Sequence, residues 1–186
     1  FVKIDDIDGD PNYPYRRSEV EAVRKAIEQC GRPIVLSLSL NMKWPNREHV
    51  SANAEMWRIS MDFWDNWGQV LEQFELCNQW APISAPNSFP DADMLQIGKL
   101  SVRGPVGKER FSLLNEDELF THFTLWSIFR SPLMMGGNMP ENTPFVEKLL
   151  TNDEVIAVNQ KGYDARQLYR KDGQCVWISR NPGSAD

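Results

Sequence analysis

Short apolar runs and amphipathic stretches alternate along this chain. Phe1-Val2-Lys3-Ile4-Asp5 reads as a strand already under way. Residues 18–29 read as a helix, opened by Ser18 with Glu21 at the capping-box spacing, and Gly31-Arg32-Pro33 stops it. Ile34-Val35-Leu36-Ser37-Leu38 and Met56-Trp57-Arg58-Ile59-Ser60 give a second and a third strand, joined through a polar loop that carries Trp44. Residues 65–78 read as a helix with Asp65 as its N-cap. Asp93-Met94-Leu95-Gln96-Ile97 predicts a fourth strand. A helix over 115–129 follows, with Asn115 as cap and Glu118 at the box position. Ser131-Pro132-Leu133-Met134-Met135, leading into Gly136-Gly137, predicts a fifth strand, and helices are expected near 144–150 and 153–158. After Gly162 the pattern turns to a hairpin, with Lys171-Asp172-Gly173 as the turn between 167–170 and 174–179.

Strand and helix in alternation argue for an α/β fold with a parallel sheet covered on both faces. Five such units with long loops after the strands fit part of a (β/α)₈ barrel, whose usual size is about 250 residues. Periodicity alone fits a doubly wound sheet equally well. The first strand has no initiator Met before it, and a strand over 174–179 lies close to the other end. The sequence is therefore expected to be a piece of a longer protein.

Composition narrows the class. The chain is 41% hydrophobic and 25% charged, a globular balance. Its net charge is −6 with the two signs interspersed, which argues against nucleic acid as a partner. No apolar run approaches the roughly 20 residues of a membrane span. Cys30, Cys77 and Cys175, and His49 and His122, are scattered without ligand spacing, so neither a metal nor another cofactor is expected.

The chemistry-bearing positions lie at strand ends. Side chains alternate along a strand, so Lys3 and Asp5 share one face and Val2 and Ile4 the other. In a barrel, Val2 and Ile4 would pack outward on helices while a cation and a carboxylate point inward. The pair reads either as a salt bridge closing the strand end or as an ammonium that keeps Asp5 ionised for nucleophilic attack. Asp62 falls just past the end of the third strand, flanked by Phe63 and Trp64, which would desolvate it and favour the protonated form a general acid needs. Arg58, within that strand, is either a structural partner for a carboxylate or a clamp on sugar hydroxyls. In Phe89-Pro90-Asp91-Ala92-Asp93-Met94-Leu95, Asp93 sits where loop meets strand and Met94 would line an apolar wall. His122 and the tryptophans Trp44, Trp80 and Trp126 read as packing residues, although Trp44 is on a loop that could reach a bound ligand. Asp6-Ile7-Asp8-Gly9-Asp10 has the composition of a calcium loop, but Pro11 and Arg17 stand where an EF-hand needs Gly and Glu.

Taken together these residues resemble a known family. Lys3-Ile4-Asp5 is similar to a Lys-x-Asp nucleophile strand, and Arg58-x-x-x-Asp62 to an Arg and acid/base pair two units later. Pro90-Asp91-Ala92-Asp93-Met94-Leu95-Gln96-Ile97-Gly98 resembles an Asp-Pro-Asp-Met-Leu…Gly strand. Phe123-Thr124-Leu125-Trp126, Ser131-Pro132-Leu133 and Glu154-Val155-Ile156-Ala157-Val158-Asn159-Gln160 complete the order. The family is glycoside hydrolase clan D, the α-galactosidases and α-N-acetylgalactosaminidases.

The resemblance implies a retaining, exo-acting α-glycosidase acting on an oligosaccharide or glycoconjugate, secreted or periplasmic. Asp5 would be the nucleophile and Asp62 the acid/base, with Lys3, Arg58, Asp93, Met94 and Ser39 binding the sugar. It implies that residues 1–162 supply strands four to eight of a TIM barrel and 163–186 the first strands of a C-terminal β-sandwich. The partner would be the missing N-terminal half or another copy of the chain. Ser37-Leu38-Ser39-Leu40-Asn41 departs from the Cys-Glu-Trp stretch that reads the sugar 2-position in galactosidases, and the small Ser39 would suit a 2-acetamido group. A non-catalytic carbohydrate-binding relative, or an inactive fragment, is the alternative.

Overall fold

The computed structural model describes residues 1–7, 14–39, 41–104 and 106–183. The aspartates and Pro11 of the calcium-like stretch beyond Ile7, Leu40 in the departing loop, and the last three positions lie outside the described residues.

Four strands form a parallel sheet in the order β1 (Val2–Ile4), β2 (Leu36–Leu38), β3 (Met56–Arg58) and β4 (Phe89–Asp91). Helices α1 (Arg17–Gln29), α2 (Arg47–Asn53) and α3 (Trp67–Trp80) lie between them in sequence. The register pairs Ile4 with Leu38, Leu38 with Trp57, and Trp57 with Pro90. Because registered residues in a parallel ladder point the same way, one face of the sheet collects Leu36, Leu38, Trp57, Ile59 and Ala92, all wholly buried in the core. Ile4 packs against that core as expected, while Val2, on the open edge strand, stays exposed. The opposite face carries Lys3, Ser37, Met56, Arg58 and Asp91.

Two of the expected strands shift. The fourth ladder strand is β4 (Phe89–Asp91), not 93–97, because Asp93 takes a left-handed φ of 82° and ends the extended run. Beyond that turn the chain crosses to the expected fifth strand by one parallel bridge, Leu95 to Met135. Leu95 N–H donates to Met134 O at 2.7 Å and Gly136 N–H to Leu95 O at 2.9 Å. Gly137 must be glycine here, since a Cβ would collide with the Ile97 carbonyl. Between them, β5 (Lys99–Leu100) and β6 (Arg110–Phe111) form a small antiparallel ribbon.

Helix starts divide into local and tertiary cases. In α4 (Glu116–Phe129) the expected capping box is present: Asn115 Oδ1 accepts from Glu118 N–H at 3.0 Å, and Asn115 N–H donates to Glu118 Oε2 at 2.9 Å. Asn115→Ala should lower stability by about 1 kcal/mol, read from thermal unfolding, with Asn115→Ser recovering most of it. Ser18 is not a cap. The α1 start is set at Arg16, whose N–H donates to Ile7 O at 3.1 Å, so a tertiary contact outweighs the local signal. Asp65 is not a cap either: Asn66 caps α3, accepting from Gln69 N–H at 3.2 Å. Asp65 is buried and binds Arg110 of the ribbon and the Leu113 N–H. Its burial pushes the carboxyl up, but the Arg110 guanidinium and the Leu113 N–H outweigh that and hold it below the usual carboxylate range.

Helices α5 (Pro144–Leu150) and α6 (Asp153–Lys161) precede an antiparallel hairpin, β7 (Tyr163–Lys171) and β8 (Gln174–Arg180). Its turn has positive φ at both Asp172 (52°) and Gly173 (76°), the two-residue geometry that matches strand twist. The hairpin docks on the helical layer, where Trp177 meets Phe129 edge-on and Arg170 caps the Phe74 ring while donating to Leu71 O. No helix among the described residues is long and apolar enough to cross a membrane.

Candidate active site

The C-terminal ends of β1 to β4 open on one edge of the sheet, where parallel α/β folds gather their functional groups. Register brings residues from four strands to one level. Arg58 pairs with Asp91, and continuing the ladder one residue beyond Ile4 and Leu38 adds Asp5 and Ser39. All four therefore project to the inner face.

Asp5 is exposed; the Asp6 N–H donates to its Oδ1 at 3.1 Å. Lys3 is also exposed and makes no ion pair with Asp5 among the described residues, so of the two readings of this pair the salt bridge closing the strand end is not seen. The Lys3 charge acts instead on Asp91 and Asp93 across the sheet. Ser39 is buried, its N–H donating to Ile4 O at 2.8 Å and its carbonyl accepting from Ile7 N–H at 3.1 Å. These bonds tie the loop after β2 to the segment carrying Asp5. Met94 is 40% exposed and free to form a wall.

Asp62 stands past the end of β3 with its side chain 66% exposed. The expected desolvation by its neighbours is absent. Phe63 turns into the core and packs on His122 and Trp126, each with ring centroids 4.9 Å away, while Trp64 N–H is tied to Gln69 Oε1. What Asp62 touches is Arg58, Nη2 to Oδ1 at 3.4 Å.

Arg58 and Asp93, expected to hold sugar hydroxyls, are spent largely on each other. Their side chains are 4% and 3% exposed and meet at 2.8 Å. Asp93 Oδ2 also accepts from Phe63 N–H at 2.7 Å, and Oδ1 from Met94 N–H at 2.8 Å. Burial nevertheless pushes the Asp93 carboxyl up, with Arg58 and the two N–H groups only partly offsetting it.

Sequence reasoning missed two contributors. Asp91 is buried beside Asp93, accepting the Asp93 N–H at 2.9 Å. Burial, then repulsion from Asp93, raises it to about 6, against partial relief from that N–H, Arg58 and Lys3. Its signal was available: Phe89 and Asp91 alternate on the inner face as Lys3 and Asp5 do. Trp126, read as packing, also donates Nε1–H to Asp93 O at 2.7 Å.

Two concavities lie away from this edge. One of about 960 Å³ separates α3 and α4 from the hairpin turn. Another of about 620 Å³ runs under the opposite end of the sheet, past Phe1, Val35, Met56, Phe89 and Met134.

A covered parallel sheet with carboxylates and cations at its C-terminal edge is the ground plan of barrel glycosidases, and comparison with known proteins places the chain among glycosidases. More narrowly, it belongs to the alpha-galactosidase family: the profile described as Melibiase_2, Alpha galactosidase A, matches residues 3–161. Among solved structures, a family 27 β-L-arabinopyranosidase from Geobacillus stearothermophilus is 43% identical with a TM-score of 0.95, covering 99% of this chain and 43% of that one. The Oryza sativa subsp. japonica alpha-galactosidase is 30% identical over 157 residues, 82% of this chain and 34% of its own length. A Rattus norvegicus alpha-N-acetylgalactosaminidase is 26% identical, covering 94% of this chain and 42% of its own length. The chain thus spans less than half the length of the relatives it matches.

Proposed function

We propose that this chain supplies strands four to eight, and the catalytic pair, of a retaining exo-acting glycoside hydrolase that removes terminal α-galactose or α-N-acetylgalactosamine-type sugars. The observation that carries this reading is the placement of Asp5 and Asp62, both exposed, past the C-terminal ends of β1 and β3 in one parallel sheet. Asp5 attacks the anomeric carbon from one face of the ring. Asp62 protonates the departing oxygen and then, as carboxylate, takes a proton from the water that releases the sugar. Retention by double displacement places such a pair about 5–5.5 Å apart. Lys3 and Met94 line the sugar site, and the buried Ser39, Arg58 and Asp93 frame it. The remaining strands close on β1 and cover the groove under Phe1, Met56 and Met134. Residues 163–186 begin a separate β-domain.

The 43% identity to a β-L-arabinopyranosidase favours a second substrate. A β-L-arabinopyranoside is an α-D-galactoside without its hydroxymethyl group, so the same two carboxylates would serve both. The test is the full-length protein against nitrophenyl α-galactoside, α-N-acetylgalactosaminide and β-L-arabinopyranoside, with the first-formed anomer followed by NMR. Hydrolysis with retention of at least one is expected. An inverted product sinks the mechanism, and sugar binding without turnover of any substrate makes the chain part of a binding protein.

A further inference from the structure

Asp91 has no role in the catalysis proposed above, yet a carboxylate buried beside a second carboxylate is costly, and an apolar side chain would fill the space without that cost. What Asp91 provides is an acceptor at one defined point. Its Oδ1 takes the N–H of Asp93, the residue whose left-handed φ of 82° ends β4. A non-glycine residue is disfavoured there unless its surroundings hold it.

Asp93 in turn reaches the acid/base loop by two routes. Its Oδ2 accepts the N–H of Phe63, the residue covalently next to Asp62, and binds Arg58 at 2.8 Å, whose Nη2 stands 3.4 Å from Asp62. The Gln96 Nε2–H bond to Phe63 O at 2.8 Å closes the frame from the same segment. Every one of these contacts depends on the direction the chain takes at Asp93.

We propose that Asp91 is a positioning residue for Asp62: by fixing the Asp93 turn it sets where the acid/base carboxylate stands. This rests on the glycosidase reading. The groups facing Asp91 are Lys3 from β1, Arg58 from β3 and Asp93 from its own segment, and none of them contributes the acceptor at the Asp93 N–H.

The test compares Asp91→Leu, which keeps the γ-branched shape without an acceptor, with Asp91→Asn, which keeps the acceptor without the charge, in the full-length protein. Two substrates are used: 2,4-dinitrophenyl α-galactoside, whose leaving group needs no proton, and methyl α-galactoside, whose leaving group does. The corresponding α-N-acetylgalactosaminides or β-L-arabinopyranosides replace them if the panel favours either of those sugars. Asp91→Leu should lose at least about tenfold more kcat/KM on the methyl glycoside than on the dinitrophenyl one, and Asp91→Asn should keep the wild-type ratio to within about threefold. Asp91→Ala carries the same expectation as Asp91→Leu, so poor folding of one leaves the other. Equal losses on both substrates overturn the proposal, as does a crystal structure of either acceptor-less variant in which Asp93 keeps its left-handed turn and its bond to Arg58. A wild-type protein that hydrolyses neither substrate overturns the glycosidase reading instead, and the variant crystal structure then decides the role of Asp91.

Discussion

Asp5→Asn in the full-length protein should abolish turnover of every glycoside, by at least about a thousandfold, which is about 4 kcal/mol of barrier. Folding should survive the change, because asparagine keeps the shape of the side chain. The carboxylate is exposed, and the bond it accepts from the Asp6 N–H is one that an asparagine oxygen also accepts. Asp62→Ala should behave differently. Without a proton donor, the loss should reach about a hundredfold or more on a methyl glycoside and shrink on a dinitrophenyl glycoside, which leaves unaided. Removing Asp62 strands no buried charge, because Arg58 keeps its 2.8 Å bond to Asp93. Kinetics of both variants on both substrates check the assignment. Turnover within tenfold of wild type in Asp5→Asn, or a loss in Asp62→Ala that is the same on both substrates, would show that the roles were misassigned.

The contrast between these two carboxylates and the two at β4 explains the layout of the edge. Among the described residues Asp5 and Asp62 are exposed and have few protein partners, as groups that must meet a substrate do. Asp91 and Asp93 are enclosed, each about 3% exposed, and Asp93 accepts from the Phe63 and Met94 N–H groups and meets Arg58. The exposed pair carries the proposed chemistry, while Asp93, whose N–H Asp91 accepts, holds Arg58 and the Asp62 loop.

Much of this was legible in the alternation of side chains. Lys3 and Asp5 opposite Val2 and Ile4 on β1, and Arg58 opposite Trp57 and Ile59 on β3, separate an inner polar face from an outer apolar one, and the register agrees. The fourth strand was misplaced because the run Met94-Leu95-Gln96-Ile97 is more apolar than Phe89-Pro90-Asp91, and a proline argues against a ladder strand. Pro90 is tolerated because the ladder to β3 uses its neighbours: Phe89 N–H donates to Glu55 O at 2.8 Å and Asp91 O accepts from Ile59 N–H at 3.0 Å. Caps were legible where they are local, as at Asn115. They were not where a distant residue decides, as with Asp65, claimed by Arg110 of the ribbon 45 positions away. The frame around Asp62 was likewise hidden, since it depends on one backbone turn at Asp93 that no spacing rule announces.

His122→Leu should make the protein resistant to acid. His122 is wholly buried on α4 between the rings of Phe63 and Trp126, and neither ring nitrogen has a hydrogen-bond partner among the described residues. Burial alone lowers it from 6.5 to about 3. A group whose folded value is depressed contributes stability that is present above the unfolded value and lost as pH falls towards the folded one. Here the unfolded chain takes up a proton below pH 6.5 that the folded chain refuses until about pH 3. Across that window the loss amounts to about 5 kcal/mol, at about 1.36 kcal/mol per unit. Leucine has a similar volume and no nitrogen to protonate, and replacing an unpartnered buried polar group by an apolar one of like shape is close to neutral. At pH 8 the variant should therefore match wild type to within about 1 kcal/mol, whereas at pH 4.5 it should exceed it by about 3 kcal/mol. Unfolding midpoints of both proteins measured across that range decide the matter, and parallel curves, with the same gap at both ends, would mean that His122 is already protonated or hydrated inside the fold.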